Sequence, residues 1–444
     1  MSANYNLSPP MNPIDLPIHQ TKLLTTPGLR KNRRIARKFN RRETSREIET
    51  VPIIAICHLG WDWVWQRPQQ FLSRMAKTHP LLFVELHRSP VDEGLVRLRT
   101  WESNPAVRIL QIHLPADRWH DEAFIDSERR RLLLEVMSND LGDEFDGAIL
   151  WMNDPMATPA YVGHLGESMV VYDCMDELTQ FAGAPSGLAI RERDLVASAD
   201  VIFCGGQKMR AKRLPVNRNT HFYGTGVDCV HFATAMEPGP AHPALAALVG
   251  PVIGYFGVID ERIDYELLAF LADAHPDWQI AMAGPFAKVE AATLPARPNL
   301  HWLGAMPYQE LPALCRGLDV CLMPFALNEA TEFINPTKAL EYMAAGTPVV
   351  STALDEVKSN FAVAARIAET HQEFADMCAQ EIERPSKSRI RSGLDLAAAN
   401  TWERIVENMN RHMQDAAEGR NPAVETARAA AASSTSPATA SSYV

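Results

Sequence analysis

None of the seven cysteines of this 444-residue chain (Cys57, Cys174, Cys204, Cys229, Cys315, Cys321, Cys378) belongs to a C-x-x-C pair or a Cys/His cluster. This excludes a ribbon-type zinc site and a disulfide framework, and an odd, irregular set points to reduced thiols in a cytoplasmic protein. Long apolar runs are also missing. The longest uncharged stretch of the folded part, 238–259 (PGPAHPALAALVGPVIGYFGVI), is broken by four Pro and four Gly, so it reads as a linker and a strand, not a membrane span. No N-terminal signal peptide is apparent. Net positive charge is missing outside one place: the formal charge is −11, residues 1–50 carry +6 and the remainder −17. An acidic body argues against nucleic-acid partners. The run RKNRRIARKFNRR (30–42) holds eight cations and no anion. Each cation near an anionic bilayer contributes about 1 kcal/mol, so weak contact with an anionic membrane is expected of this arm, against a merely solvated charge run.

What is present is a succession of short Val/Ile-rich runs alternating with helical patterns. Strands are expected at 52–57, 81–86, 107–112, 147–152, 169–174, 201–205 and 220–223, and helices at 67–78, 126–140 and 187–199. After EPGPAHPAL a second set follows, with strands at 251–257, 278–284, 300–303, 319–324 and 348–352 and helices at 264–274, 309–317 and 336–345. Runs buried on both faces and alternating with helices indicate parallel, doubly wound sheets. The class is α/β, with two facing Rossmann-like domains. The expected divisions are a disordered basic arm 1–50, a first domain 51–236, a linker 237–250, a second domain 251–385, a helical segment 386–418 and a disordered Ala/Ser tail 419–444.

Ligands of open parallel sheets lie beyond the carboxyl ends of the strands, so the following loops are the candidates. After the first strand, HLGWDWVWQRPQQF offers Gly60 for a tight turn, Trp61 among three tryptophans, and Arg67 at the start of a helix. Aromatic faces suit sugar rings or lipid; a hydrophobic cluster under the loop is an equal reading. Asp154 follows the strand at 147–152, Asp176 that at 169–174, and Arg262 that at 251–257. Glu332 precedes NPTKALEYMAAGTPVV (335–350). There Asn335 is a natural cap, Pro336 a natural first helical residue, and Gly346 a natural left-handed terminator. Thr337 and Lys338 sit at the helix start, where anions are favoured, and Glu341 lies one turn on, able to accept from hydroxyls. Phosphate with sugar hydroxyls beside it describes a nucleotide. The alternative is a solvated Lys–Glu pair worth about 0.2–0.5 kcal/mol.

YFGVIDERIDYELL (255–268), LHWLGAMPYQELPAL (300–314), DVCLMPF (319–325) and INPTKALEYMAAGTPVVST (334–352) together resemble the nucleotide-binding half of GT-B glycosyltransferases, in the family-4-like, UDP-sugar-using branch. WDWVWQRPQQFLSRMA, VVYDCMDELTQF, ADVIFC and YGTGVDCVHF (223–232) resemble the acceptor half. Within the branch the chain is similar to bacterial teichuronic-acid and exopolysaccharide glycosyltransferases. The resemblance implies that Glu341 holds the ribose, that Asn335, Pro336, Thr337 and Lys338 meet the diphosphate and donor sugar, and that Gly257 and Gly60 are the loop glycines of the two halves. It departs from the pattern at three points. The position eight before Glu341 is Phe333, with Glu332 the nearest acid. Arg262 is the sole cation after the first strand of the donor half. Asn153 and Asp154 stand where many members carry a histidine.

The implied activity is hexosyl transfer from a UDP-sugar, a substrate and not a cofactor, to a glycan or lipid-linked acceptor, with retention of configuration, at the cytoplasmic face of the plasma membrane. No metal is expected, since no Asp-x-Asp pair is present to hold one. Asp154 or Asp176 is the candidate to orient or deprotonate the acceptor. The alternatives are a nucleotide-sugar epimerase of the same fold and a non-catalytic nucleotide-sugar-binding scaffold at the membrane.

Overall fold

The computed structural model describes residues 22–24, 48–62, 65–180, 183–328, 331 and 337–419. The chain forms two compact units, each built on its own sheet. In the first, the strands β1 (Lys22–Leu24), β2 (Ile53–Cys57), β3 (Leu81–Ser89), β4 (Leu95–Trp101), β5 (Asn104–Pro115), β6 (Ile149–Met152), β7 (Met169–Cys174), β8 (Val201–Cys204) and β9 (Thr220–Phe222) are ordered β1-β4-β5-β3-β2-β6-β7-β8-β9. β2, β3, β5, β6, β7 and β8 pair in parallel. β2, β6, β7 and β8 are buried along their whole length, as strands covered by helices on both faces must be.

The second unit contains β10 (Val252–Phe256), β11 (Gln279–Ala283), β12 (Leu300–Gly304), β13 (Val320–Met323), β14 (Val349–Thr352) and β15 (Arg366–Ala368), ordered β12-β11-β10-β13-β14-β15 and parallel throughout. Strand order reverses between β10 and β13 in this unit and between β2 and β6 in the first. Loops leaving the reversal point are held apart and open a crevice between them. Within each unit this selects the loops after Phe256 and Met323, and those after Cys57 and Met152.

Two features depart from the sequence reading. β4 joins β5 antiparallel, and β1 joins β4 in the same sense, extending the first sheet by a hairpin edge. The units also divide at different places from those read in the sequence. The first comprises residues up to Cys204, Arg210–His221 and from Val406 on; the second comprises Gly205–Met209 and Phe222–Ile405. Residues 222–249 therefore pack with the second unit and are not all first domain and linker. Phe232 stacks on Phe256 with centroids 6.0 Å apart, and Arg316 donates to the carbonyls of Thr234, Glu237 and Pro240. The last helix, Trp402–Ala417, re-enters the first unit with Met409 and Met413 fully buried.

Candidate active site

In the second unit the carboxyl ends of β10 and β11 close on each other through glycines. Gly257 N donates to Ala283 O at 2.9 Å and Gly284 N to Gly304 O at 2.7 Å. Gly284 has φ +152°, and a Cβ there would stand 1.7 Å from Gly257 O, so no other residue fits. At Gly257, φ +148°, a Cβ would lie 2.9 Å from Lys338 Cε. The glycine thus lets the lysine stem lie against the end of β10, bringing together two residues 81 apart in sequence.

The helix bearing Lys338 spans Lys338–Ala344. Tyr342 fixes it to β10: its buried hydroxyl accepts from Phe256 N at 3.1 Å and donates to Phe256 O at 3.3 Å. Gly346, φ +72°, ends it in the left-handed region, with Gly346 N on Met343 O. Lys338 Nζ donates to Thr337 Oγ1 at 3.2 Å and lies 3.9 Å from Glu341 Oε2. The Glu341 side chain is only 14% exposed, so the pair is not a solvated helix face. Its Oε2 is buried and has no hydrogen-bond partner among the described residues. Burial pushes the carboxyl above its ordinary range, against the opposing charges of Lys338 and His231. A shielded carboxylate oxygen lacking a donor is costly to maintain without a ligand.

Glu332, Asn335 and Pro336 lie outside the described residues. Arg262 is engaged by Asp260: Nε sits 3.0 Å from both carboxylate oxygens and Nη2 2.6 Å from Oδ2. Its charge is matched locally, so Lys338 is the better-placed cation for an anionic ligand.

In the first unit most of the expected residues have structural partners. Trp61 is 1% exposed, with its ring against Phe83, Trp101 and Trp65 at centroid distances of 5.0, 5.3 and 5.9 Å. The hydrophobic-cluster reading of the tryptophan loop therefore holds for it, and no face is left for a sugar; Trp65 remains partly exposed. Arg67 is buried, and Nε and Nη2 reach Asp173 Oδ1 at 2.9 and 2.8 Å. Asp173, fully buried, also accepts from Asn153 Nδ2 at 3.1 Å. This ties the start of the helix after β2 and the loop after β6 to the end of β7. Asp154 accepts from Met156 N at 2.9 Å and caps the turn Pro155–Ala157, with Arg129 3.7 Å away. Asp176 is half-buried just past β7, where its carbonyl accepts from Cys174 Sγ. Gly60 lies over Glu85: its absent Cβ would be 4.0 Å from both carboxylate oxygens.

Glu85, Asp173 and Gly284 are not among the candidates read from sequence. Glu85 had a visible signal, a carboxylate inside the apolar strand LLFVELHRS. Asp173 had a similar one in MVVYDC. Gly284 had none beyond ending its strand.

Residues 250–383 match the family model of glycosyl transferases group 1. The chain is 29% identical over 201 residues to TuaH of Bacillus subtilis (strain 168), a protein named for a teichuronic acid biosynthesis glycosyltransferase, with 42% of this chain and 50% of that protein covered. It is 36% identical over 111 residues to a 2-deoxystreptamine glucosyltransferase of Streptomyces kanamyceticus, covering 23% of this chain and 27% of that one. The chain thus spans at most about half the length of these relatives. Its fold is similar to sucrose-phosphate synthase from Thermosynechococcus elongatus (TM-score 0.62, 14% identity, 82% of this chain and 98% of that one). It is also similar to an E. coli trehalose-6-phosphate structure bound with UDP-2-fluoro glucose (TM-score 0.58, 14% identity, 82% and 99%). The two-sheet α/β architecture is the GT-B fold, and the match to the group 1 family model lies in the second unit.

Proposed function

We propose that this chain, carrying a group 1 glycosyl transferase domain on a GT-B fold, transfers a hexosyl group from a UDP-sugar to a glycan or lipid-linked acceptor in bacterial cell-surface polysaccharide synthesis. The observation that carries the reading is Glu341. Its buried Oε2, without a donor among the described residues, stands one helical turn from a lysine that lies against a strand-end glycine, inside the segment matching the family model. A ribose hydroxyl supplies the missing donor, and the diphosphate next to it takes the Lys338 charge. The acceptor hydroxyl oxygen bonds to the anomeric carbon on the face from which the diphosphate departs, the bond to the diphosphate breaks with its electron pair leaving on the nucleotide, and the hydroxyl proton passes to the departing phosphate oxygen. Lys338 stabilises the charge that develops there. The similarity to TuaH supports a polysaccharide acceptor, and the resemblance to the family-4-like branch supports UDP and retention.

The test separates phosphate from base and ribose. Lys338→Ala is expected to weaken UDP about tenfold or more, the loss of a charge-assisted contact, and to leave uridine nearly unchanged. Equal losses for both, measured calorimetrically, contradict the assignment.

The arm 30–42 is outside the described residues, and no described helix is long and apolar enough to cross a membrane. We assign the arm to weak contact with anionic lipid. The full chain should sediment with phosphatidylglycerol vesicles at low salt and release at high salt; sedimentation unchanged on deleting 30–42 removes the assignment.

A further inference from the structure

We propose that the imidazoles of His221 and His412 form an acid-released latch that holds the last helix on the edge of the first sheet. The inference concerns the first unit alone and stands apart from the transferase reading. The helix Trp402–Ala417 lies down along one stripe, with Met409, Asn410 and Met413 buried three and four residues apart. His412 flanks that stripe, half-buried. Its ring stacks face to face on His221 of β9, with centroids 3.6 Å apart and planes at 18°. β9 is the last strand of its sheet, and the His221 ring also neighbours that of Phe203 on β8 at 6.3 Å. Two residues beyond His412, Gln414 Oε1 accepts from Ile48 N at 3.0 Å.

The tautomer of His221 is set by its neighbours. Asn219 Nδ2 donates to Asp200 O at 2.6 Å, which turns Asn219 Oδ1 toward the ring, 2.8 Å from His221 Nε2. An amide oxygen only accepts, so Nε2 carries the proton and a second proton must go to Nδ1. That proton makes a cation of a ring lying flat on another imidazole. It also adds charge beside Arg210, whose Nε donates to the carbonyl of the preceding residue, Thr220, at 3.1 Å. On the helix, Arg411 and Asp415 are the charged neighbours of His412.

Burial first, then the charges of His412 and Arg210, push His221 down to about 4. Burial also holds His412 below its ordinary range, with Asp415 opposing and Arg411 adding to the effect. With the helix lifted away, each ring returns to an ordinary value of about 6.5. The released form therefore binds protons that the latched form refuses. The latch is at full strength above about pH 6.5 and weakens as pH falls from there toward the folded value. At pH 5.5 His221 alone favours release by about tenfold over its balance at pH 7.5. Packing a helix on a sheet edge calls only for flat apolar rings; two stacked imidazoles make the contact answer to pH. Nothing in the sequence reading used either residue.

The test is hydrogen–deuterium exchange of the full chain, read by mass spectrometry at pH 7.5 and 5.5 with labelling times scaled to the intrinsic exchange rate. Peptides over 406–417 report the helix, and peptides over β6 and β7 report the core of the same unit. The wild type is expected to lose about tenfold or more of its protection over 406–417 on acidification, while β6 and β7 change by less than about twofold. The double variant His221→Phe, His412→Phe keeps two rings in place and removes both titrations, so its 406–417 protection should change by less than about twofold. Histidine NMR of the wild type alone should show His221 still neutral at pH 5.5. A His221 titration near the ordinary value of about 6.5 overturns the latch. So does a loss of protection equal in 406–417 and the core, or a fall in the double variant as large as in the wild type.

Discussion

Glu341 is a carboxylate that the folded protein holds at a cost. Its pKa is raised by burial, so folding disfavours its ionised form, and the penalty applies at pH values above the folded pKa. Glu341→Gln is therefore expected to stabilise the ligand-free chain at pH 7 by about 0.5–2 kcal/mol. The advantage shrinks as pH falls through the raised pKa and is gone once the carboxyl is protonated in both states. The same substitution should weaken UDP by about 10–100-fold, the range of a hydrogen bond to a charged group. Melting curves between pH 4 and 8, with and without UDP, check both signs; a variant less stable than the wild type when ligand-free contradicts the account. The pair Lys338–Glu341 was legible because two charges on an apolar helix call for a reason. Other positions were ambiguous in the sequence. Asp154 before Pro155 has the pattern of a turn cap as much as that of a reacting carboxylate, and local geometry decides for the cap. A tryptophan in a loop can face a ligand or the core, and only tertiary packing puts Trp61 against Phe83.

At the scale of elements, the donor side rests on the contact between the end of β10 and the helix Lys338–Ala344. Tyr342 fastens the helix to Phe256, and Gly284 allows the end of β11 to approach Gly257. Gly284→Ala places a methyl within 1.7 Å of a carbonyl oxygen at a positive φ. The expected cost is about 2 kcal/mol or more, with UDP stabilisation reduced because Gly257 must shift against Lys338. Differential scanning calorimetry checks this, and a melting temperature within a degree of the wild type would show that the strand ends are not so closely apposed. The buried parallel strands were readable because both of their faces are apolar. β4 was not, because LVRLRTW is only partly buried, and its pairing partner is set by a hairpin and not by its own composition. Helices Asp355–Phe361 and His371–Glu383 were likewise hidden by their mixed, half-exposed surfaces.

For the whole molecule, the sequence conveyed two doubly wound sheets but not where one unit yields to the other. Composition marks 237–250 as linker-like because Pro and Gly are dense there, yet Leu245 is buried and the cation of Arg316 gathers carbonyls from this stretch into the second unit. The chain then recrosses near Ile405, a connection that no local pattern encodes. The account assigns the donor nucleotide wholly to the second unit, through Lys338 and Glu341. Its most direct test is a crystal structure of the full chain with UDP bound. The predicted result is a ribose hydroxyl within about 3 Å of Glu341 Oε2 and a phosphate oxygen at Lys338 Nζ. UDP bound elsewhere, with Glu341 Oε2 still lacking a donor, would contradict the assignment.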